Sequence, residues 1–131
     1  MNEEVTRSIT AFLKTQHQAQ TQFLAELVRV PSDNPPRDCQ RHAERTAELL
    51  EGLGFTVERH PVPQAAVHAN GMISATNLVV RHKFGEGPVI ALSAHGDVAP
   101  AGEGWTKQPF AAEVTDGRMY GRGVAVRSAT S

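Results

Sequence analysis

Residues 88–93 read Pro-Val-Ile-Ala-Leu-Ser, an apolar run without polar alternation. A strand with one face in water alternates apolar and polar side chains; a continuous run predicts a strand covered on both faces, as in the middle of an α/β sheet. The chain then turns at once to Ala94-His95-Gly96-Asp97. In open α/β sheets, ligands bind at the carboxyl ends of the strands, so this polar pair stands where a site is expected.

The remaining pattern fits that frame. From Glu3 to about Val30 the spacing is helical, with apolar clusters at Ile9, Phe12, Leu13 and at Phe23, Leu24, Leu27, Val28. The Gln-rich stretch Thr15 to Thr21 between them leaves one long helix or two shorter ones. Pro31 ends the pattern, and Ser32-Asp33-Asn34-Pro35-Pro36 is a loop by its turn chemistry. Asp38 to Leu53 reads as a second helix with Ala47 and Leu50 inward, and Gly54 sits where a left-handed cap belongs. Phe55 to Arg59 alternates like a half-buried strand, Pro61 to Asn70 reads as a connection, and Asn77 to Arg81 as a strand. Thr115-Asp116-Gly117-Arg118 is a hairpin turn between Phe110–Val114 and Met119–Tyr120. Helix followed by successive strands predicts an α/β sandwich with a mostly buried sheet.

Composition narrows the class. At 131 residues, 40% hydrophobic and 21% charged, the chain fits one ordinary globular domain. A formal net charge of -1 gives no reason to expect nucleic acid or an anionic membrane as partner. Cys39 is the only cysteine, so no intrachain disulfide forms, and a lone thiol fits a reducing compartment. The opening Met1-Asn2-Glu3-Glu4-Val5 is acidic and lacks an apolar core, unlike a signal peptide, and no stretch reaches transmembrane length. The expectation is a cytoplasmic protein.

His95 and Asp97 carry the chemistry. A carboxylate two residues from a histidine can accept the second imidazole N–H, fixing the tautomer and raising the basicity of the nitrogen that binds metal. Gly96 between them gives the backbone freedom to aim both side chains at one point. By itself the pair is a weak signal, since His-x-Asp recurs by chance; its surroundings make it specific. The run Leu92-Ser93-Ala94-His95-Gly96-Asp97-Val98-Ala99-Pro100 is followed by Gly102, Trp105, Pro109-Phe110, Asp116-Gly117 and Tyr120-Gly121-Arg122-Gly123. Upstream stand Leu27-Val28-Arg29-Val30-Pro31-Ser32, Asn34-Pro35 and Asn77-Leu78-Val79. Over about Leu24 to Gly123 this resembles the zinc-dependent peptidase and amidohydrolase family of acetylornithine deacetylase, succinyl-diaminopimelate desuccinylase, aminoacylases and carboxypeptidase G-type enzymes.

The resemblance implies the N-terminal part of a two-zinc, exopeptidase-like catalytic domain: an α/β fold with helices packed on a mostly buried mixed sheet. It implies a metal-dependent hydrolase of an amide bond in N-acyl amino acids or small peptides, with a possible homodimer formed through a lid domain. His95 takes the role of a zinc ligand, Asp97 that of the catalytic-site acid holding it, and residues 120–123 the turn toward the next ligand. The zinc pair polarises the scissile carbonyl and acidifies a bridging water, while a later glutamate moves its proton. No substrate-binding residue is assigned.

The pattern then fails. The family's bridging aspartate falls at Val126, its lysine at Ser128, and no Asp or Glu follows Asp116. Valine cannot coordinate zinc, and Arg127 beside it repels a cation. A catalytic zinc site uses three protein ligands and a water, and only His95 matches the family set. Residues 1–131 are therefore expected to be a partial catalytic domain, truncated before most metal ligands and the lid, binding zinc weakly and inactive alone. The alternative is a non-catalytic binding module or pseudoenzyme. The isolated piece should expose apolar surface along Val89 to Leu92 and be prone to association, whereas a monodisperse, cooperatively unfolding monomer would favour the module. His17 and His42 are expected as solvated helix residues, with His60, His68 and His82 outside any metal motif. Trp105 and Phe110 are expected to pack, Arg122 to hydrogen-bond backbone, and Cys39 to be a quiet thiol.

Overall fold

The computed structural model describes residues 2–125. Its elements in chain order are α1 (Glu3–Val28), α2 (Gln40–Gly52), β1 (Val57–Pro61), α3 (Gln64–Ala69), β2 (Thr76–Val80), β3 (Glu113–Thr115) and β4 (Arg118–Tyr120).

The first periodic segment forms one helix. Asn2, in extended conformation, accepts from the Glu4 N–H at 3.0 Å and caps it, and Glu3 and Glu4 complement the dipole of the first turn. The Gln-rich stretch does not break it, because glutamine is a good helix former. Only the last turns are buried: Ala25 and Val28 pack with Ala112 of the loop before β3, joined by Leu24, Met119 and Val124. Further forward, Val5, Ile9, Phe12 and Leu13 lie exposed along one side.

The second helix ends as its sequence predicts. Gly54 adopts φ +90°. The Gly54 N–H donates to the Glu51 carbonyl at 2.9 Å and the Phe55 N–H to the Leu50 carbonyl at 3.2 Å, closing a Schellman motif. That second bond keeps Phe55 out of the strand, so β1 begins at Val57, later than the expected Phe55. β1 pairs antiparallel with β2, Val57 opposite Val80 and Pro61 opposite Thr76. Ala43 and Ala47 on α2, Val57 on β1 and Val67 on α3 are buried. Arg59 reinforces this layer from outside, donating to Glu51 at 2.6 Å and Glu44 at 3.2 Å. Arg45 crosses from α2 to Glu26 of α1 at 2.9 Å. Solvent screens such exposed pairs, so they add little to stability and mainly fix side-chain positions.

β3 and β4 form the expected hairpin, with Asp116 at φ +52° and Gly117 at φ +72°, both left-handed as a type I′ turn requires. α3 replaces the expected connection at 61–70. Its six residues are too few to display a helical period, and only Val67 is buried.

The mostly buried mixed sheet is not what the described residues form. They form two antiparallel two-stranded sheets, and residues 88–93 belong to neither. Val89, Ile90 and Leu92 are 96%, 82% and 95% exposed. The apolar run sets a demand for cover on two faces, but a strand exists only where a neighbour completes its ladder, and no described segment lies beside this one. The exposure of Val89 to Leu92 expected from the sequence is therefore present. The accessible surface of 10142 Å² exceeds the roughly 6,800 Å² typical of a compact monomer of this mass.

Two outcomes follow from this packing. A Cβ added at Gly121 would lie 2.8 Å from Val28 Cγ1 and 3.2 Å from the Pro109 carbonyl, so Gly121→Ala should destabilise the chain by roughly 1–3 kcal/mol through overpacking, read as a lower urea midpoint. Separately, Ile90→Glu should weaken concentration-dependent association, seen by sedimentation velocity, while leaving the helical circular dichroism unchanged.

Candidate functional site

The loop after α1 docks on the His-Gly-Asp turn. The Val98 N–H donates to the Ser32 carbonyl at 3.1 Å, and the Asn34 N–H to the Val98 carbonyl at 2.7 Å, forming a short parallel bridge. The buried Ser32 adds a hydroxyl bond to the Gly96 carbonyl at 2.6 Å. Pro31 breaks α1 so that residues 32–34 can run extended beside 96–98.

Within this frame His95 and Asp97 meet as their spacing suggests. His95 Nδ1 lies 3.0 Å from Asp97 Oδ1 and 3.1 Å from the Asp97 carbonyl oxygen. Asn34 Nδ2 donates to Asp97 Oδ2 at 2.8 Å. Asn34, then the His95 contact, holds the Asp97 carboxyl below the usual carboxylate range against the opposing effect of partial burial. The imidazole remains accessible, its side chain 54% exposed, and it borders two adjoining clefts. One, of about 110 Å³, is lined by Leu24, Val28, His42, His95 and Asp97. The other, of about 240 Å³, shares His95, Asp97 and Arg122 with it and extends to Ala99 and Ala125. Both are smaller than the roughly 300–1,000 Å³ of small-molecule sites.

His42 corrects an expectation. It is not a solvated helix residue: burial pushes its pKa down, and its ring packs under the turn. A Cβ on Gly96 would approach His42 Cε1 and Nδ1 to 3.0 Å. Gly96 does not take a left-handed φ, so the glycine serves close approach rather than the unusual backbone conformation expected of it. No periodicity in α2 marks His42 as inward, because Ala43 and Ala47 already define the buried side.

The other sequence expectations divide. Arg122 Nε donates to the Ala99 carbonyl at 2.6 Å, and the Arg122 N–H to the Pro109 carbonyl at 2.7 Å, so it secures backbone as expected. Trp105 donates to the Ala101 carbonyl at 2.7 Å within its own loop. Phe110 lines the smaller cleft. Burial, then Asp97 and Asp38, push the Cys39 thiol up, which disfavours a thiolate. His17 is exposed, His60 pairs with Glu58, His68 with Gln64, and His82 edges against Phe55 and Phe84.

The donor set does not complete a zinc site. Both Asp97 oxygens already accept hydrogen bonds, and among the described residues no group of three or more His, Cys, Asp or Glu is placed to hold a metal ion. Val126, at the family's bridging position, lies outside the described residues. Among those residues, too, no helix is long and apolar enough to cross a membrane.

Comparison with known proteins agrees with the residue-level resemblance. The model of peptidase family M20/M25/M40 matches residues 91–129. A succinyl-diaminopimelate desuccinylase of Rhodospirillum centenum is 40% identical over 103 residues, covering 76% of this chain and 24% of that protein. That of Rhodospirillum rubrum is 40% identical over 99 residues, covering 76% and 23%. That of Gluconobacter oxydans is 41% identical over 80 residues, covering 60% and 19%. No solved structure matches. These matches support the M20/M25/M40 peptidase family, N-terminal portion, as the family that this chain resembles. It spans about a quarter or less of the length of these relatives.

The lowered Asp97 pKa has a signed consequence. The folded state favours the ionised carboxylate, so its contribution to stability is complete above the unfolded pKa and is lost as pH falls through the lower folded value. The Asp97 carboxyl carbon, followed by NMR, should titrate below the ordinary aspartate range, and Asn34→Ala should move that midpoint upward.

Proposed function

We propose that this chain carries the first metal-ligand segment of a metal-dependent amide hydrolase acting on N-acyl amino acids or small peptides. The related desuccinylases point to an N-succinyl amino acid as the substrate class. His95 is the ligand, through Nε2, and Asp97 is the acid that orients it. The observation that carries the reading is the His95–Asp97 contact of 3.0 Å, with the other Asp97 oxygen fixed by Asn34. This is the arrangement by which a carboxylate orients an imidazole toward a metal.

Bound zinc would polarise the scissile carbonyl and acidify a water; the chain's own part is to hold one donor nitrogen at the mouth of the clefts. With one family-matched ligand where three are needed, the chain by itself is a binding segment without turnover. The incomplete donor set also favours a second reading, a non-catalytic module that keeps the family's turn without its chemistry.

A chimera separates the two. Residues 24–123 replace the matching segment of a succinyl-diaminopimelate desuccinylase, with the relative supplying everything else. Chelator-sensitive hydrolysis by the chimera, reduced at least about 100-fold by His95→Ala, is expected, since removing a metal ligand abolishes the site it completes. The isolated chain should show no chelator-sensitive hydrolysis. A well-folded chimera without activity would support the module instead.

A further inference from the structure

We infer that Asn34, clamped by Arg37, is a positioning residue that acts through Asp97 to set which ring nitrogen His95 presents to the clefts. The inference deepens the reading of His95 as ligand to a divalent cation and rests on it.

The argument starts from donor and acceptor chemistry. An arginine side chain only donates, and an ionised carboxylate only accepts. Asn34 stands between one of each: Arg37 Nε donates to Asn34 Oδ1, and Asn34 Nδ2 donates to Asp97 Oδ2 at 2.8 Å. Only one orientation of the amide satisfies both neighbours. Turned over, it would set an NH2 group against the guanidinium and an oxygen against the carboxylate.

Arg37 is itself well held. Its guanidinium also donates to the Asn70 carbonyl at 2.7 Å. Its backbone N–H donates to the Asp33 carbonyl at 2.8 Å, and its carbonyl accepts from the N–H groups of Ile73 and Ser74 at 3.1 and 3.3 Å. These contacts maintain a left-handed φ of +67°, which a non-glycine residue seldom adopts. Asn34 is anchored independently through its own N–H to the Val98 carbonyl, one residue beyond Asp97.

With Oδ2 engaged, the Asp97 carboxylate cannot rotate freely, and Oδ1 stays against His95 Nδ1. Both oxygens beside Nδ1, Asp97 Oδ1 and the Asp97 carbonyl, are acceptors, so the ring proton resides on Nδ1. The Nε2 lone pair is left free for a cation. Because His95 is more than half exposed, solvent alone would not maintain that choice.

The test uses the full chain, labelled with 15N at histidine, and reads the neutral His95 tautomer from long-range 15N–1H couplings. The unsubstituted chain should show the Nδ1–H form alone. Asn34→Ala should lose that single pattern and give a mixture rich in Nε2–H, the form an unrestrained histidine side chain favours. Arg37→Ala, which keeps Asn34 but frees its amide to turn, should shift the populations in the same direction by less. Dispersed amide spectra in at least one variant establish that the fold persists. A mixed tautomer in the unsubstituted chain, or a single Nδ1–H form in both folded variants, would overturn the inference. The chimera of the preceding section reports separately: hydrolysis there with unchanged tautomers removes the positioning role alone. Shifted tautomers with an inactive chimera remove the hydrolase reading and leave the clamp intact.

Discussion

The bridge between residues 32–34 and 96–98 is the constraint on which the rest of the site depends. Its two backbone bonds and the Ser32 hydroxyl bond to Gly96 are each worth about 0.5–1.5 kcal/mol net. That is a substantial share of the 5–15 kcal/mol that ordinarily separates folded from unfolded domains. Residues 88–94 have no strand partner among the described residues, so the His-Gly-Asp turn cannot take its position from a sheet. It takes it from the loop that Pro31 releases from α1. Behind the bridge, Val28 and Val98 come so close to Gly121 and Gly123 that an added Cβ would lie 2.8 Å from each valine. The helix end, the turn and the 120–123 segment thus meet at positions where glycine alone fits without displacement.

Much of the local structure was legible because short-range chemistry decides it. The Gly54 cap and the Asp116-Gly117 turn depend on residues within a few positions of one another, and each forms as its sequence predicts. The buried strand did not form because its signal describes a need rather than a partner. Val89, Ile90 and Leu92 state that two faces must be covered, and nothing within residues 88–93 supplies the cover. The small helix at Gln64–Ala69 escaped for the opposite reason: one buried valine in six residues carries no period to detect.

The site divides along the same line. His95 and Asp97 are two residues apart, and their contact was readable from spacing and surroundings. Asn34, Arg37 and His42 reach the same place from 55 to 63 residues upstream, and their side chains bear no local mark of that destination. Asn34 was visible as a turn former in a proline-rich loop, a role its backbone does fill, and as part of the Asn34-Pro35 match to the family pattern, which assigned it no place in the site. Its second role, on the Asp97 carboxylate, arises from the tertiary bridge. His42 was read as a solvated helix residue, with Ala47 and Leu50 as the inward side of α2; the missing glycine side chain at position 96 makes room for the ring.

These placements explain how the turn can hold its geometry when the segment leading into it is bare. The orientation of His95 is stored in polar contacts: an arginine that can only donate, an amide with one workable orientation and a carboxylate held at both oxygens. None of these requires residues 88–93 to be paired. Apolar burial near the site is modest, with Ala25, Val28 and Ala112 as its buried core, and alanine and valine contribute less area than the exposed Phe12, Phe84 and Leu92 could. Hydrogen bonds are directional where apolar contact is not, so they can fix a ligand's geometry while the hydrophobic demand of residues 88–93 is unmet. Covering Val89 to Leu92 would then add stability without having to build the turn, because the loop at 32–37 has already set its shape.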